Sequence, residues 1–347
     1  MTADPVLVLA WLFCSHFVAD FVLQNDWIAI TKASTGRRGW NGVLVHAALV
    51  ALCLVPVPLA YGGPGLAFLL LAAATHIGVD RWKVGATRRA EALARERARR
   101  RADDGEPAAG PGAGLGSAWT PIPGLLYIVD QLVHLGIAVA GWAFLLAHAP
   151  LQPGWVDAVN GIVGGWDPAS VHALTLWAVV VTSLVIANTK GAYFFIATLV
   201  HPREVVLGTE EPPDPQPAPP PPPSGYTVRV GPLVATVEPG TAPESRGAAA
   251  PDGRPVSGVS AAVPSTPGSP ARIGATIGVL ERLLVVTFVL VGMEAAIGFV
   301  IAAKTLARFK QLDDRGFAEY YLLGTLASVL VALATGLLGA AALDTLR

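Results

Sequence analysis

Residues 5–28, PVLVLAWLFCSHFVADFVLQNDWI, form a nearly unbroken apolar run that contains one histidine and, near its end, two aspartates. A helix of this length crosses the hydrocarbon core of a bilayer, which takes about 20 residues. The run passes through His16 and Asp20 without a small-residue cleavage site, and no basic residue precedes it, so we expect a retained membrane helix. Ionisable side chains are costly in lipid and are usually functional there.

Further apolar runs of similar length follow along the chain. Only 14% of the residues are charged and 53% are hydrophobic, whereas a soluble domain carries about 25% charged residues. The chain has 24 basic and 25 acidic residues, which excludes a nucleic-acid-binding protein. The sequence predicts an all-α fold, a polytopic membrane helix bundle with about seven transmembrane or near-spanning helices. The predicted segments are 5–28, 42–61, 65–82, 122–148, 170–199, 276–303 and 317–345.

Composition divides the chain into four parts. Residues 1–150 are predicted to form a four-helix membrane bundle, and residues 151–203 a fifth membrane segment followed by an interfacial stretch from Gly191 to Val200. Residues 204–270 are rich in Pro, Ala and Gly and predict a disordered linker. Within that linker, 226–237 alternates and could form an isolated hairpin at most. Residues 271–347 are predicted to be a C-terminal pair of transmembrane helices.

Basic residues predict the orientation of the helices. Nine basic residues lie between Arg81 and Arg101, whereas the loops at 56–64 and 149–169 contain no Lys or Arg. The positive-inside rule therefore places the basic loops in the cytoplasm and the N-terminus outside. The basic loop at 304–315 would then lie outside. Either the fifth segment does not cross fully or the last two helices break the rule.

Imidazole and carboxylate side chains recur in the first four predicted helices. Three His/Asp pairs have a spacing of four residues, which puts both members of a pair on one helix face. When the alternating helix directions are followed, all of these residues fall in the cytoplasmic leaflet. This shared depth predicts that they converge on one site. The candidate metal ligands are His16, Asp20, His46, His76, Asp80, Asp130 and His134.

The chemistry of this set suits a divalent metal. Imidazole nitrogens and carboxylate oxygens without a thiolate indicate zinc first, with manganese or iron as alternatives. Seven ligands exceed what one tetrahedral ion takes, so two ions can be held. The alternative is that each Asp only accepts a hydrogen bond from a His and ties the helices together. Four nearby residues are candidate ligands of an anionic substrate such as a phosphate ester, although the two lysines equally suit anchoring of helix ends. These are Gln24, Lys32, Lys83 and Gln131.

The segments that carry these residues resemble a known family. HFVADFVLQNDWIAITK (16–32), HIGVDRWK (76–83) and VDQLVHL (129–135), with a lone His46, resemble the bacterial membrane proteins of the Domain of Unknown Function 3307 family. Residues 278–330 look like the companion region of its longer members. The His/Asp pattern is also similar to membrane-bound metal-dependent hydrolases and, more distantly, to the zinc-dependent phospholipase C and P1 nuclease group. The resemblance implies a multi-pass protein of the bacterial inner membrane whose His and Asp residues are metal ligands.

Three functional hypotheses follow from these observations. The leading one is a metal-dependent hydrolase of a phosphoester or lipid-like substrate at the cytoplasmic leaflet, in which an unligated Asp of the set takes the proton. The second is a transporter of metal ions or protons, but the outward halves of the first four helices contain almost no acidic or histidine residues. The third is a scaffold that recruits partners through the basic segment 86–101 and the linker. The sequence contains no Walker A, G-x-S-x-G or H-E-x-x-H motif, which excludes the commoner motif-based enzymes.

Overall fold

The computed structural model describes the backbone of residues 3–103, 119–200, 226–230, 233–237 and 270–346. In the part of the chain so described, the structure is helical apart from one two-stranded hairpin. The hairpin pairs β1 (Tyr226–Val230) with β2 (Leu233–Val237) in antiparallel register, in the stretch where the alternating pattern allowed an isolated hairpin at most. The remainder of the predicted linker, within 204–270, lies outside the described residues.

Within the described ranges, three π-helical turns occur beside the α-helices. The helices of the first part are α1 (Pro5–Phe17), α2 (Asp26–Lys32), α3 (Gly36–Cys53), α4 (Pro56–Tyr61) and α5 (Gly63–Asp103). Those after it are α6 (Ile122–Gly141), α7 (Pro153–Val163), α8 (Pro168–Ile186), α9 (Ala192–Val200), α10 (Pro270–Leu290), α11 (Ala295–Ala307) and α12 (Arg315–Leu343). The π-helical turns are Val18–Leu23 after α1, Trp142–Leu146 after α6 and Ala187–Gly191 between α8 and α9.

Five helical segments in the described residues are long and apolar enough to cross a membrane, which makes this an all-α fold of the membrane type. Five of the seven predicted segments coincide with them. The five are Pro5–Leu23, Gly63–Arg100, Ile122–Leu146, Pro168–Val200 and Arg315–Leu346.

The other two predicted segments are each interrupted. The segment 42–61 is divided between α3 and α4, and Pro56, the first residue of α4, supplies no backbone N–H to bond back to the preceding turn. The segment 276–303 is divided between α10 and α11, and Gly292 adopts a φ of 70° at the break. Left-handed backbone of this kind ends a helix and is accessible to glycine at little cost.

Helix α5 is longer than any predicted segment. It has 41 residues, which at 1.5 Å per residue extend about 60 Å, roughly twice the thickness of a hydrocarbon core. Its apolar first half carries His76 and Asp80, and its second half carries the basic segment 86–101. The polar pair is therefore rigidly continuous with a basic extension.

The N-terminal and C-terminal helices pack together through shared hydrophobic clusters. Residues 1–203 and 265–347 form one compact unit, and residues 204–264 form a second. In the first unit, α8 packs against α1, and α9 packs against α6 and α12. The helix that begins at Pro168 continues through its π-helical turn to Val200. Because α9 contacts α6, residues late in the chain reach the region of the predicted site.

Candidate metal centre

Four α-helices and one π-helical turn carry the seven predicted ligands to one place. His16 lies in the last turn of α1 and Asp20 in the π-helical turn that follows it. His46 lies on α3, and α5 and α6 carry one His/Asp pair each. A π-helical turn adds a residue to the helical cycle and often occurs at functional sites, because it re-aims the side chains that it carries.

Asp20 contacts imidazoles from three helices. Its Oδ1 lies 3.1 Å from Nε2 of His46 and 3.6 Å from Nε2 of His76. Its Oδ2 lies 3.8 Å from Nε2 of His16. One carboxylate thus links α1, α3 and α5 at the centre of the cluster.

The other two carboxylates each bind a lysine as well as facing a histidine. Oδ2 of Asp80 lies 2.8 Å from Nζ of Lys32 and 3.7 Å from Nε2 of His76. Oδ2 of Asp130 lies 2.6 Å from Nζ of Lys83. Each lysine therefore compensates one buried negative charge, and each carboxylate keeps lone pairs for a further partner.

A glycine positions Lys32. A Cβ atom at Gly42 of α3 would lie 2.7 Å from the carbonyl carbon of Thr31 and 2.9 Å from Cα of Lys32. Only a residue without a side chain permits this approach of α2 to α3. The close contact sets the end of α2, and hence Lys32, beside Asp80.

The imidazole rings form a contiguous group around His76. The centroid of the His76 ring lies 4.2 Å from that of His134, 4.8 Å from that of His46 and 5.9 Å from that of His16. His16 and His134 are stacked at 5.1 Å. Imidazole nitrogens are common metal ligands, so four rings at these distances form a donor set that could coordinate a cation.

Several ligand atoms of the cluster are buried and have no hydrogen-bond partner among the described residues. These atoms are Nδ1 of His46, Nε2 of His76, Oδ1 of Asp130 and Nε2 of His134. A buried polar atom without a partner costs about 1–3 kcal/mol and calls for an explanation. Cations bound at the cluster would supply interactions of this kind.

The residues fit a metal site. Three triplets have one ligand atom from each residue, all within 4.8 Å of one another. Ligands about 2 Å from a tetrahedral ion lie about 3.4 Å apart, so small rotations of the side chains would complete each triplet. His76 and Asp80 each belong to two triplets, which suits neighbouring ions with shared ligands. The triplets are His16–Asp20–His76, His46–His76–Asp80 and Asp80–Asp130–His134.

The N-terminal part of the chain matches a known family model. Residues 8–156 match the family described as a protein of unknown function, DUF3307. This segment belongs to the DUF3307 family. No curated protein and no solved structure matches the chain. The DUF3307 segment contains all seven candidate ligands, and the match assigns them no activity; the expected similarity to membrane-bound hydrolases has no support beyond the residues themselves.

A polar cavity of about 120 Å³ adjoins the cluster, and all four predicted substrate-binding residues line it. Gln131 lies at the boundary between cavity and cluster. Its Nε2 donates to Asp20 at 3.3 Å and to Asp130 at 3.0 Å, and its Oε1 lies 3.2 Å from Nε2 of His16. The four residues are Gln24, Lys32, Lys83 and Gln131. The structure places all four in the lining of one cavity, and their role in binding a substrate stays a prediction.

Some residues of this cavity were missed at the sequence level. Tyr127 lies under the ammonium of Lys83, 5.0 Å from Nζ to the ring centroid, and its hydroxyl donates to the carbonyl oxygen of Gly191 at 2.9 Å. Its position three residues before Asp130, on the same face of α6, could have indicated it. Phe194 and Thr198 of α9 also line the cavity. They lie beyond the DUF3307 segment, and no spacing in the sequence indicated them.

A second, smaller cavity lies against the other side of the histidine group. Its volume is about 40 Å³, and its lining includes His16, His76 and His134 together with apolar residues such as Leu12 and Phe68. No carboxylate is among its lining residues. Carboxylates and lysines therefore line the larger cavity, and none lines the smaller one.

Proposed function

We propose that this chain is a divalent-metal-dependent hydrolase of phosphoesters, embedded in the bacterial inner membrane with its centre in the cytoplasmic leaflet. The observation that carries the proposal is the group of buried, unpartnered ligand atoms on His46, His76, Asp130 and His134. Hydrogen bonding alone leaves these atoms unsatisfied. A cation satisfies them, and the donor set suits zinc, with manganese or iron as alternatives.

The charges of the site favour an anionic substrate. Asp20, Asp80 and Asp130 carry one negative charge each, and Lys32 and Lys83 carry one positive charge each. With neutral imidazoles, one divalent ion makes the centre net positive and a second makes it strongly so. A phosphate group brings the opposite charge and several acceptor oxygens.

The two lysines would bind the phosphate. An ammonium has three donors, and Lys32 and Lys83 each use one of them in the bond to an aspartate. Their remaining donors are available to the polar cavity that they line. Gln24 and Gln131 line the same cavity and would orient the bound group.

The proposed reaction is hydrolysis of the phosphorus–oxygen ester bond. A divalent ion supplies Lewis acidity, which lowers the pKa of water toward neutrality. The water oxygen forms the new bond to phosphorus, and the ester oxygen leaves as the alcohol. An aspartate of the cluster that is not engaged as a ligand accepts the proton from water and returns one to the leaving oxygen. Lys32 and Lys83 stabilise the negative charge on the phosphoryl oxygens.

The transport and scaffold hypotheses have less support. A path for ions needs polar groups beyond the cluster, but the smaller cavity on the far side of the histidines is mainly apolar and has no carboxylate in its lining. A scaffold would not need a buried set of unpartnered ligand atoms, whose cost is otherwise unexplained. Both observations favour a closed site that performs chemistry.

Metal content of the purified full chain tests the proposal. We expect bound zinc or manganese by elemental analysis, and a loss of about tenfold or more in affinity for His76→Ala and Asp130→Ala, which remove ligand atoms. His172→Ala is the matched control, because His172 pairs with Asp4 at 2.9 Å, away from the cluster. Equal metal content in all four proteins would refute the metal centre.

A further inference from the structure

Three exposed tryptophans lie on the helices that surround the candidate centre. Trp27 on α2, Trp40 on α3 and Trp82 on α5 are 54%, 48% and 50% exposed. Exposed indoles on a membrane bundle concentrate at the level of the lipid headgroups, where the ring contacts apolar chains and its N–H is hydrated. Trp82 lies between Asp80 and Lys83 in the sequence, and Trp27 lies in the helix that ends at Lys32.

Basic side chains accompany these tryptophans. The guanidinium of Arg81 lies 5.1 Å above the ring of Trp40, and Arg37 and Arg38 are exposed in the first turn of α3. Arginine beside tryptophan is typical of the interface between headgroups and hydrocarbon. Both features indicate that the candidate centre lies at the depth of lipid phosphates.

The cavity that Lys32 and Lys83 line also has an apolar part. Phe21, Tyr127 and Phe194 contribute aromatic rings to the lining. Phe194 belongs to the candidate span Pro168–Val200 and is 37% exposed. This wall therefore continues to the outer surface of the bundle. A small hydrophilic phosphoester gains nothing from such a wall, whereas the acyl or prenyl chain of a lipid would pack against it.

We infer that the substrate is a membrane lipid that ends in a phosphate monoester. The inference rests on the proposed function and adds the class of substrate and its route. The phosphate lies between Lys32 and Lys83, and the apolar chain leaves the cavity past Phe194 into the bilayer. A phosphate monoester fits better than a diester, because its greater charge matches a centre made positive by divalent ions.

The products separate into two phases. Water adds its oxygen to phosphorus, the bond from phosphorus to the lipid oxygen breaks, and the lipid oxygen takes the proton that an aspartate of the cluster received from water. The resulting lipid alcohol is uncharged at its head and stays in the bilayer. Inorganic phosphate is hydrophilic and leaves to the aqueous side. No oxidant, reductant or second substrate is required.

The test uses the full chain in lipid nanodiscs, supplied with zinc or manganese. Phosphatidic acid in a phosphatidylcholine bilayer is the lipid probe, and glycerol 3-phosphate is the water-soluble probe with the same head chemistry. Released phosphate is measured by phosphorus NMR, and bound metal is measured on the same samples. We expect phosphate release from phosphatidic acid, at least about tenfold faster than from glycerol 3-phosphate, since the apolar chain contributes binding energy.

A pair of substitutions on α9 tests the route. Thr198→Trp places a large ring in the lining of the cavity and should slow release from phosphatidic acid about tenfold or more, because the lipid is then held away from the lysines. Tyr193→Trp is the control, since Tyr193 is 52% exposed on the same helix and does not line the cavity. Both variants should retain the metal content of the parent chain.

The outcomes separate the two proposals. Hydrolysis of both probes at equal rates, or an unchanged rate in Thr198→Trp, overturns the lipid inference and leaves the metal-dependent hydrolase intact. Retained metal with no phosphate release from either probe overturns the lipid inference together with the proposed hydrolysis. Absence of bound metal in the parent chain overturns the proposed function, and the inference falls with it.

Discussion

Nζ of Lys83, in the middle of α5, lies 2.6 Å from Oδ2 of Asp130, and the pair joins α5 to a carboxylate that is fully buried on α6. Asp130 in turn accepts a hydrogen bond from Gln131. The charge of Asp130 is thus balanced from outside its own helix. The pair supports both the packing of α5 on α6 and the electrostatics of the candidate centre.

Removal of the lysine charge should destabilise the bundle. In Lys83→Met the aliphatic stem is retained, but the Asp130 carboxylate stays buried without its cation, at an expected cost of about 2–3 kcal/mol in the free energy of unfolding. Denaturant titration of the chain in detergent measures this. Zinc should recover part of the loss, because a cation at the cluster supplies the missing charge.

The control for this variant is Arg315→Met. Arg315 pairs with Glu319 at 3.0 Å on an exposed face of α12, and both side chains are largely in contact with solvent. Exposed pairs of this kind contribute little, so we expect a change below about 0.5 kcal/mol. Equal effects of the two substitutions would mean that Asp130 does not depend on Lys83.

The approach of α2 to α3 should be sensitive to one methyl group. Gly42→Ala would bring a Cβ within 2.7 Å of the Thr31 carbonyl carbon, so α2 must shift and take Lys32 away from Asp80. We expect a loss of about 1–3 kcal/mol from overpacking and weaker binding of inorganic phosphate to the metal-loaded chain. Gly85→Ala is the control, since a Cβ there meets no atom within 4 Å. It should stabilise α5 by about 0.5–1 kcal/mol. A similar loss of unfolding free energy in both variants would mean that the approach of α2 to Gly42 does not cause the effect.

The π-helical turn Ala187–Gly191 should couple two distant side chains. Nε of Arg282, on α10, donates to the carbonyl oxygen of Asn188 at 2.6 Å, and the Tyr127 hydroxyl donates to that of Gly191. We expect Tyr127→Phe to cost about 1 kcal/mol and Arg282→Met about 2–3 kcal/mol, since each leaves a buried carbonyl without its donor. Because both donors bind one turn, the double variant should depart from additivity by about 0.5 kcal/mol or more.

Thr287→Val is the control partner in this double-mutant cycle. The Thr287 hydroxyl donates only to the Leu283 carbonyl within its own helix, at 2.8 Å. Its substitution should add to Tyr127→Phe without coupling. Strict additivity of Arg282→Met with Tyr127→Phe would show that the turn does not connect α10 to the cavity.

Replacement of residues 204–264 by a Gly/Ser segment should leave the metal centre intact. Residues 1–203 and 265–347 form one compact unit without that stretch. We expect unchanged metal content and an unfolding free energy within about 0.5 kcal/mol of the parent. Phosphate release from phosphatidic acid should also be retained. Loss of function with an intact metal centre would instead favour the scaffold hypothesis, in which the replaced stretch recruits partners.

The broken segments show where a sequence pattern was insufficient. Hydrophobicity predicted continuous runs at 42–61 and 276–303, but the helices end at Cys53 and Leu290. Pro56 and Gly292 are visible in the sequence, yet both residue types also occur within membrane helices when neighbours satisfy the freed backbone groups. Whether such a residue breaks a helix depends on what packs around it, which no local window contains.

The amino-acid order by itself determined the membrane class and the helix faces of the candidate ligands. Run length and low charge follow from the solvation of each residue, and a spacing of four places His76 and Asp80 on one face whatever surrounds them. Only the tertiary structure decided which partners meet across helices: Lys32 with Asp80, Lys83 with Asp130, and Phe194 with the wall of the cavity. These contacts join residues far apart in the chain and depend on the packing of whole helices, so no local pattern specifies them.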